Sequence, residues 1–135
     1  MNNINSKEYK SQFDEEEKAH DIYERLFIFS ERILDIVDLL NDKNVNNILC
    51  NQLMKSGTSI GANMEEADGA ATKRDFINKV TISRNEARET KYWLKLVSRK
   101  YVDKEELIDD IQEIKEIIKI LSAIINNTKN PKKHN

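Results

Sequence analysis

One segment near the start of the chain decides the fold: residues 22–40 read IYERLFIFSERILDIVDLL. Its apolar residues recur in alternating steps of four and three, the spacing of the buried seam of a bundle helix. They are Ile22, Leu26, Phe29, Ile33, Ile36 and Leu40. A second apolar stripe lies beside this seam and consists of Tyr23, Phe27, Leu34 and Val37. The segment therefore predicts a helix from about Glu17 to Leu40 with more apolar surface than one seam requires.

A turn at residues 41–44 separates this helix from a second one, predicted from about Val45 to Ala67. Its seam follows the same spacing and consists of Val45, Leu49, Gln52, Ser56, Ile60, Asn63 and Ala67. Small and polar residues interrupt this seam, and Gly57 and Gly61 lie inside the helix, each at a cost of about 1 kcal/mol relative to Ala. We expect these small residues to let a neighbouring backbone approach closely.

Two further helices follow, each with a predicted N-terminal cap. Thr72 with Asp75 three residues later resembles a capping box and opens the third helix, which should end near Lys100. Asp103 with Glu106 is expected to open the fourth helix in the same way. The third seam is Phe76, Val80, Ser83, Ala87, Thr90, Leu94 and Val97. The fourth is Leu107, Ile111, Ile114, Ile118, Leu121 and Ile125, widened by Ile108, Ile117 and Ile124.

The composition agrees with one helical domain. The 135 residues include only three Gly and one Pro, and 34% are charged, as expected for long helices with one apolar stripe and a wide polar face. Four helices joined by short turns predict an all-α, antiparallel, up-and-down four-helix bundle. The predicted divisions are a flexible arm at residues 1–15, the bundle at residues 16–126 and a disordered tail at residues 127–135.

Other global features predict a cytoplasmic protein. Cys50 is the single cysteine, which excludes an intrachain disulfide and favours a reducing compartment. No apolar run approaches the roughly 18 residues needed to span a bilayer. Residues 1–17 are polar and end with an acidic run, unlike a signal peptide.

The residues that could support catalysis are sparse. His20 and His134 are the only histidines. Glu17 and His20 form a single Glu-x-x-His pair, whereas a di-metal bundle requires two, and neither histidine follows an arginine as in helical ribonucleases. Neither is near Cys50 in sequence, so a nucleophile with an adjacent base is not indicated. Glu86 and Glu89 are one helical turn apart and could form a catalytic carboxylate pair or a structural ion-pair network, and the second interpretation is favoured because no other reactive group accompanies them. We therefore predict no enzymatic activity, no metal and no cofactor.

The strongest functional signal is basic. Residues 71–100 carry nine basic and three acidic residues, a net charge of +6 in a chain whose total is −2. Five of these cations lie on one face of the third helix at steps of 4-3-4-4 and are called the basic row: Arg84, Arg88, Lys91, Lys95 and Arg99. Lys73, Arg74 and Lys79 add charge near the helix start, and Tyr92 lies beside the row. Such a row could neutralise several phosphates. For a monomer the favoured interpretation is a solvated face paired with acids of the first helix, namely Glu24, Glu31, Asp35 and Asp38. In a symmetric ring several rows would act together, which favours phosphate binding.

Three segments carry a family resemblance: QLMKSGTSIGANMEEA at residues 52–67, KRDFINK at 73–79 and NEARETKYWL at 85–94. Over roughly residues 20–125 the chain resembles the bacterial four-helix bundle proteins first found encoded within intervening sequences of large-subunit ribosomal RNA genes. The resemblance implies a ring-shaped homopentamer without an assigned activity. It also implies a relation to the accessory variability protein of diversity-generating retroelements, which binds a reverse transcriptase and nucleic acid through a basic surface. This chain differs from that protein in its net charge of −2.

Two functional hypotheses follow. The first is a non-enzymatic, homo-oligomeric interaction or scaffold protein that docks a partner protein. The second is a nucleic-acid-binding accessory protein, with a reverse transcriptase as partner, that binds RNA or DNA through one set of cations. That set comprises Lys73, Arg74, Arg84, Arg88, Lys91, Lys95 and Arg99.

Overall fold

The protein forms a four-helix bundle in a computed structural model that describes residues 21–131. The helices are α1 (Ile22–Asp42), α2 (Asn47–Asp68), α3 (Lys73–Lys100) and α4 (Ile108–Lys129). Each packs against the next along the chain, and ion pairs join α1 to α4. The predicted all-α bundle is confirmed. Residues 17–20 of the expected first helix, the predicted arm and residues 132–135 lie outside the described residues.

The ends of the helices agree with the sequence in one predicted cap and differ in the other. Thr72 Oγ1 accepts a hydrogen bond from the Asp75 backbone N–H at 3.0 Å, so the predicted cap of α3 is confirmed. The predicted start of α4 at Asp103 is wrong, because residues 103–107 form turns and the helix begins at Ile108. These turns bring Leu107 into the core with no exposed surface. At its other end α4 continues to Lys129, beyond the bundle boundary expected at residue 126.

The core contains the seam that was predicted for α1 without exception. All six of its residues are buried, from Ile22 to Leu40. The α3 seam is also confirmed from Val80 to Val97, while Phe76 is only partly buried. On α4 the core includes Ile117, which had been assigned to a second stripe, while Ile111 and Ile118 are partly buried. The core of this helix is therefore rotated slightly from the predicted seam.

The predicted seam of α2 is wrong at its polar positions. Gln52 is exposed, and Asn63 is half-buried and donates to the Ser59 carbonyl at 2.8 Å. The buried residues are instead Cys50, Leu53, Ser56, Gly57, Ile60, Met64 and Ala67. This rotation keeps two amide side chains out of the core, where each would cost free energy unless hydrogen-bonded.

Small residues bring α2 close to both of its neighbours, as expected. A Cβ at Gly57 would lie 2.7–2.9 Å from three side-chain atoms of Ile33 on α1, so only glycine fits there without displacement. On the other side, Ser83 Oγ donates to the Ile60 carbonyl at 2.7 Å, and Thr90 Oγ1 donates to Ser56 Oγ at 3.0 Å. These contacts fix the register of α3 against α2, and therefore which flanks of α3 face solvent.

Each of the four helices carries several charged residues. Within residues 21–131, none of them combines the length and the apolar character that crossing a bilayer requires.

Candidate functional site

Helix α3 presents two flanks of opposite character, and the first faces α2. Lys79 Nζ lies 2.7 Å from Glu66 Oε2 of α2, so this cation belongs to the α2–α3 contact and not to the basic row. Glu86 lies on the same flank. Burial and the nearby Glu89 carboxylate raise the pKa of Glu86, and Lys55 of α2 opposes that shift. This flank is therefore a structural contact between helices.

The second flank carries the basic row. Arg88, Lys95 and Arg99 are exposed, while Arg84 and Lys91 are half-buried. From Arg84 to Arg99 the row extends over about 22 Å at 1.5 Å per residue. The predicted clustering on one face is consistent with this burial pattern, because the buried residues of α3 occupy the adjoining face.

The two cations in the first turn of α3 also relate to this flank. Lys73 and Arg74 are both exposed. Lys73 precedes Arg84 by eleven residues, about three helical turns, and so lies in line with the row. Arg74 precedes Tyr92 by eighteen residues, about five turns, and so lies in line with that exposed ring. The seven predicted residues thus share one side of α3, with Arg74 at its outer margin.

Among residues 21–131 the cations of the row have no acidic partners. Within the described residues, none of the five forms an ion pair within 4 Å. The Nε of Arg84 is buried without a hydrogen-bond acceptor. The acids of α1 that were expected to neutralise the row lie on a helix diagonally across the bundle, because α1 packs on α2 and pairs with α4. The expected pairing of the row with these acids is therefore wrong, whereas the exposure of Arg88, Lys95 and Arg99 agrees with a solvated face.

Two other arginines show what a structural cation looks like in this bundle. Arg25 is buried and donates to both carboxylate oxygens of Glu113, at 2.8 and 2.6 Å, and to Glu116 at 2.6 Å. These bonds raise the pKa of Arg25 further above its ordinary value. Arg32 likewise donates to both oxygens of the buried Asp110, at 2.8 and 3.1 Å. Burial raises the pKa of Asp110, and Arg32 opposes that shift.

These ion pairs also distinguish the acidic residues of α4 from its lysines. Its acids at positions 110, 113 and 116 pair with arginines of α1, whereas its lysines at positions 115 and 119 form no ion pair within the described residues. Ile111 lines a cleft together with Lys95 and Arg99, so this face of α4 adjoins the end of the row. Lys115 is one turn beyond Ile111, Lys119 is one turn further, and both are exposed. These two cations could not be identified from the sequence, because the periodicity of α4 does not reveal which helix packs on each of its sides.

The cleft marks the end of the basic face near the α3–α4 turn. It encloses about 550 Å³. Its lining combines three cations with one acid and an apolar floor: Lys95, Ser98, Arg99, Val102, Asp103, Lys104 and Ile111. We group Lys104, Lys115 and Lys119 with the basic row. This surface, to which α3, α4 and the turn between them contribute, is hereafter called the α3–α4 face.

A different surface carries the exposed apolar residues of α1. Phe27 is 62% exposed and Leu34 is 46% exposed, as the second stripe of α1 led us to expect. Tyr23 is half-buried, and burial together with the Asp68 carboxylate of α2 raises its pKa. Val37, by contrast, belongs to the core. The surplus apolar surface of α1 is thus real at Phe27 and Leu34 and lies on the side towards α2.

Cys50 and Glu89, two of the residues considered for catalysis, are engaged in contacts within the bundle. Cys50 is buried, which raises the pKa of its thiol, and its Sγ lies 3.8 Å from the Val45 carbonyl oxygen. Glu89 accepts a hydrogen bond from the Trp93 indole at 3.3 Å. Within residues 21–131, no three His, Cys, Asp or Glu side chains are grouped so as to hold a metal ion. The two histidines lie outside the described residues.

A family model matches residues 18–123, nearly the whole bundle, and is described as 23S rRNA-intervening sequence protein. The chain belongs to this family. A crystal structure from the S23 ribosomal protein family of Bacteroides thetaiotaomicron VPI-5482, a protein of unknown function, resembles it at 37% identity with a TM-score of 0.75. The match covers 78% of this chain and 98% of the other. The chain matches none of the curated proteins. Neither the 23S rRNA-intervening sequence family nor its solved relative indicates an enzyme.

Proposed function

We propose that this protein binds nucleic acid through the α3–α4 face, with the phosphate backbone along the basic row. The single observation that carries the proposal is that all five cations of the row lack ion pairs within the described residues. In the same bundle Arg25 and Arg32 each bind carboxylates at two points. The chain thus satisfies cations that serve the fold and leaves those of the row available.

The arrangement of the charges supports this proposal further. Like charges repeated along one helix flank repel one another, which costs stability unless anions neutralise them. A phosphate backbone supplies such anions at regular intervals, and their binding releases counterions. Three acids of α4, at positions 110, 113 and 116, are paired with arginines of α1, and Asp103 is the single acid in the lining of the cleft at the end of the row.

The test is binding at low salt to mixed-sequence RNA and DNA, each offered single-stranded and as duplex. We expect Arg88→Glu with Lys95→Glu to abolish binding, because both side chains are exposed and reversal converts two attractions into repulsions. The matched control is Lys43→Glu with Lys55→Glu. These lysines are also exposed, lie outside the α3–α4 face and give the same change in net charge. Equal losses in the two double variants, or no binding by the unaltered protein, would exclude the proposal.

A second proposal concerns assembly and rests on the exposed apolar surface of α1. We propose that Phe27 and Leu34, which lie two turns apart on one face of α1, are covered in a homo-oligomer, because exposed apolar side chains on a shared face favour association. Light scattering coupled to size exclusion would decide: a mass above that of the 15.8 kDa chain supports it, and a monomer excludes it. The subunit number of five, the docking of a partner protein and a reverse transcriptase as that partner stay predictions.

A further inference from the structure

Beside the basic row lies an aromatic side chain that neither the fold nor the row explains. Tyr92 is 61% exposed. On the helix surface its neighbours four residues before, three after and seven after are Arg88, Lys95 and Arg99, all exposed members of the row. On the other side of the ring lies Glu89, three residues before it. An exposed ring with cations along one side is a combination with which proteins hold unpaired bases and their phosphates together.

The ring of Tyr92 is held in place by its neighbour. Its centroid lies 5.1 Å from that of Trp93, with the two ring planes at 76°, an edge-to-face contact. Trp93 is half-buried, and its indole donates to Glu89 one turn earlier. The contact with Trp93, which is itself bonded to Glu89, restricts the Tyr92 ring, so the ring loses less freedom when a ligand stacks on it. The exposed part of the ring is a preformed platform.

The geometry of the row decides between unpaired and paired strands. Successive cations of the row rise along α3 by about 4.5–6 Å. In a B-form duplex the phosphates of one strand advance by about 3.4 Å along the axis and wind around it, so a straight row follows one strand only briefly. The bases of a duplex are also paired and stacked inside. In a single strand the backbone can extend along the row, and a base is free to turn onto the ring.

We infer that the α3–α4 face selects single-stranded nucleic acid, with phosphates along the basic row and a base stacked on Tyr92. The inference rests on the proposed function and specifies its ligand. The stacking partner is a π-face that every base has, so the site is tolerant of sequence. Arg88 and Lys95 bind the phosphates on either side of the stacked nucleotide.

The test compares Tyr92→Leu with Tyr92→Phe and with the control Ile48→Ala, which truncates an even more exposed apolar side chain on α2. The probes are a mixed-sequence single strand, an abasic strand of the same length and a duplex, each prepared in RNA and DNA where the chemistry allows. We expect Tyr92→Leu to weaken single-strand binding by about fivefold or more and to leave abasic-strand and duplex binding unchanged. Tyr92→Phe and Ile48→Ala should bind like the unaltered protein.

An independent signal comes from Trp93, the only tryptophan of the chain. Because it contacts Tyr92, its fluorescence should change when the normal single strand binds and should not change with the abasic strand. If every probe fails to bind the unaltered protein, the proposed function is wrong. If the probes bind and depend on Arg88 and Lys95, but Tyr92→Leu weakens none of them or all of them equally, the function stands and the inference is overturned.

Discussion

Two glycines of α2 offer a matched test of how closely this helix packs on α1. At Gly57 an added Cβ would meet Ile33 Cγ1, Cγ2 and Cδ1 at 2.7–2.9 Å. At Gly61 an added Cβ would lie 3.6 Å from Leu26 Cβ and from Ser30 Oγ, which is ordinary van der Waals contact. Gly57→Ala and Gly61→Ala therefore make the same chemical change in the same helix, and only the first creates a clash.

The two variants should differ in free energy of unfolding because they share the same gain in helix propensity, while only Gly57→Ala adds a steric clash. Both substitutions gain about 1 kcal/mol of helix propensity. Gly57→Ala in addition forces the buried Ile33 side chain or the α1 backbone to move, which costs about 1–3 kcal/mol in a packed core. We expect Gly61→Ala to be more stable than the unaltered protein. Gly57→Ala should be less stable than Gly61→Ala by about 1–3 kcal/mol.

Urea unfolding followed by the helical circular dichroism signal gives both free energies of unfolding. The protein concentration must be equal in all samples, because association would make stability depend on it. Ile33→Ala alone should cost about 2–5 kcal/mol. The double variant Ile33→Ala with Gly57→Ala should lose less stability than the sum of the two single losses, because the Ile33 atoms that clash with the added Cβ are gone. Equal stabilities of the two alanine variants, or strictly additive costs of Gly57→Ala and Ile33→Ala, would refute this account of the contact.

Three further outcomes are expected. Arg25→Ala should lower the free energy of unfolding in urea by about 3–5 kcal/mol because it leaves the half-buried Glu113 unpaired, and Arg88→Ala should change it by less than about 0.5 kcal/mol; equal losses would contradict the distinction. Because the folded-state pKa of Glu86 is raised, its contribution to stability falls as pH rises through the usual range of a glutamate, so Glu86→Gln should stabilise the protein near neutral pH and lose that advantage in acid. Unfolding free energies at the two pH values measure this, and a constant difference would count against it. Thr72→Ala should cost about 0.5–2 kcal/mol in the same assay, whereas Thr72→Ser should cost little, since only the hydroxyl caps α3.

The α1 seam could be predicted from the sequence because every one of its positions is strongly apolar. In α2 two stripes of the same period share Ile60 and Ala67, and the predicted one included Gln52 and Asn63. Packing selected the stripe with Leu53 and Met64, since the amides reach solvent or the Ser59 carbonyl. The cost of burying an amide would have separated the two stripes from sequence alone.

Other features required the three-dimensional structure. Arg25 and Asp110 are buried, although charged residues are usually exposed. Their partners, Glu116 for Arg25 and Arg32 for Asp110, become apparent only when α1 and α4 are seen to pack together. The start of α4 depended on Leu107 reaching the core, which outweighs the local capping signal at Asp103. For the basic row, periodicity identified the shared flank of α3. It could not identify the absence of ion pairs or the contribution of Lys115.

The central claim, that the basic row binds a phosphate backbone, is tested most directly by the salt dependence of single-strand affinity. Five phosphate contacts predict a slope of about −3.5 in a plot of log affinity against log salt concentration, at about −0.7 per contact. Removing two contacts with Arg88→Gln and Lys95→Gln should reduce the slope to about −2.1. An affinity that does not change with salt, or the same slope in both proteins, would contradict the claim.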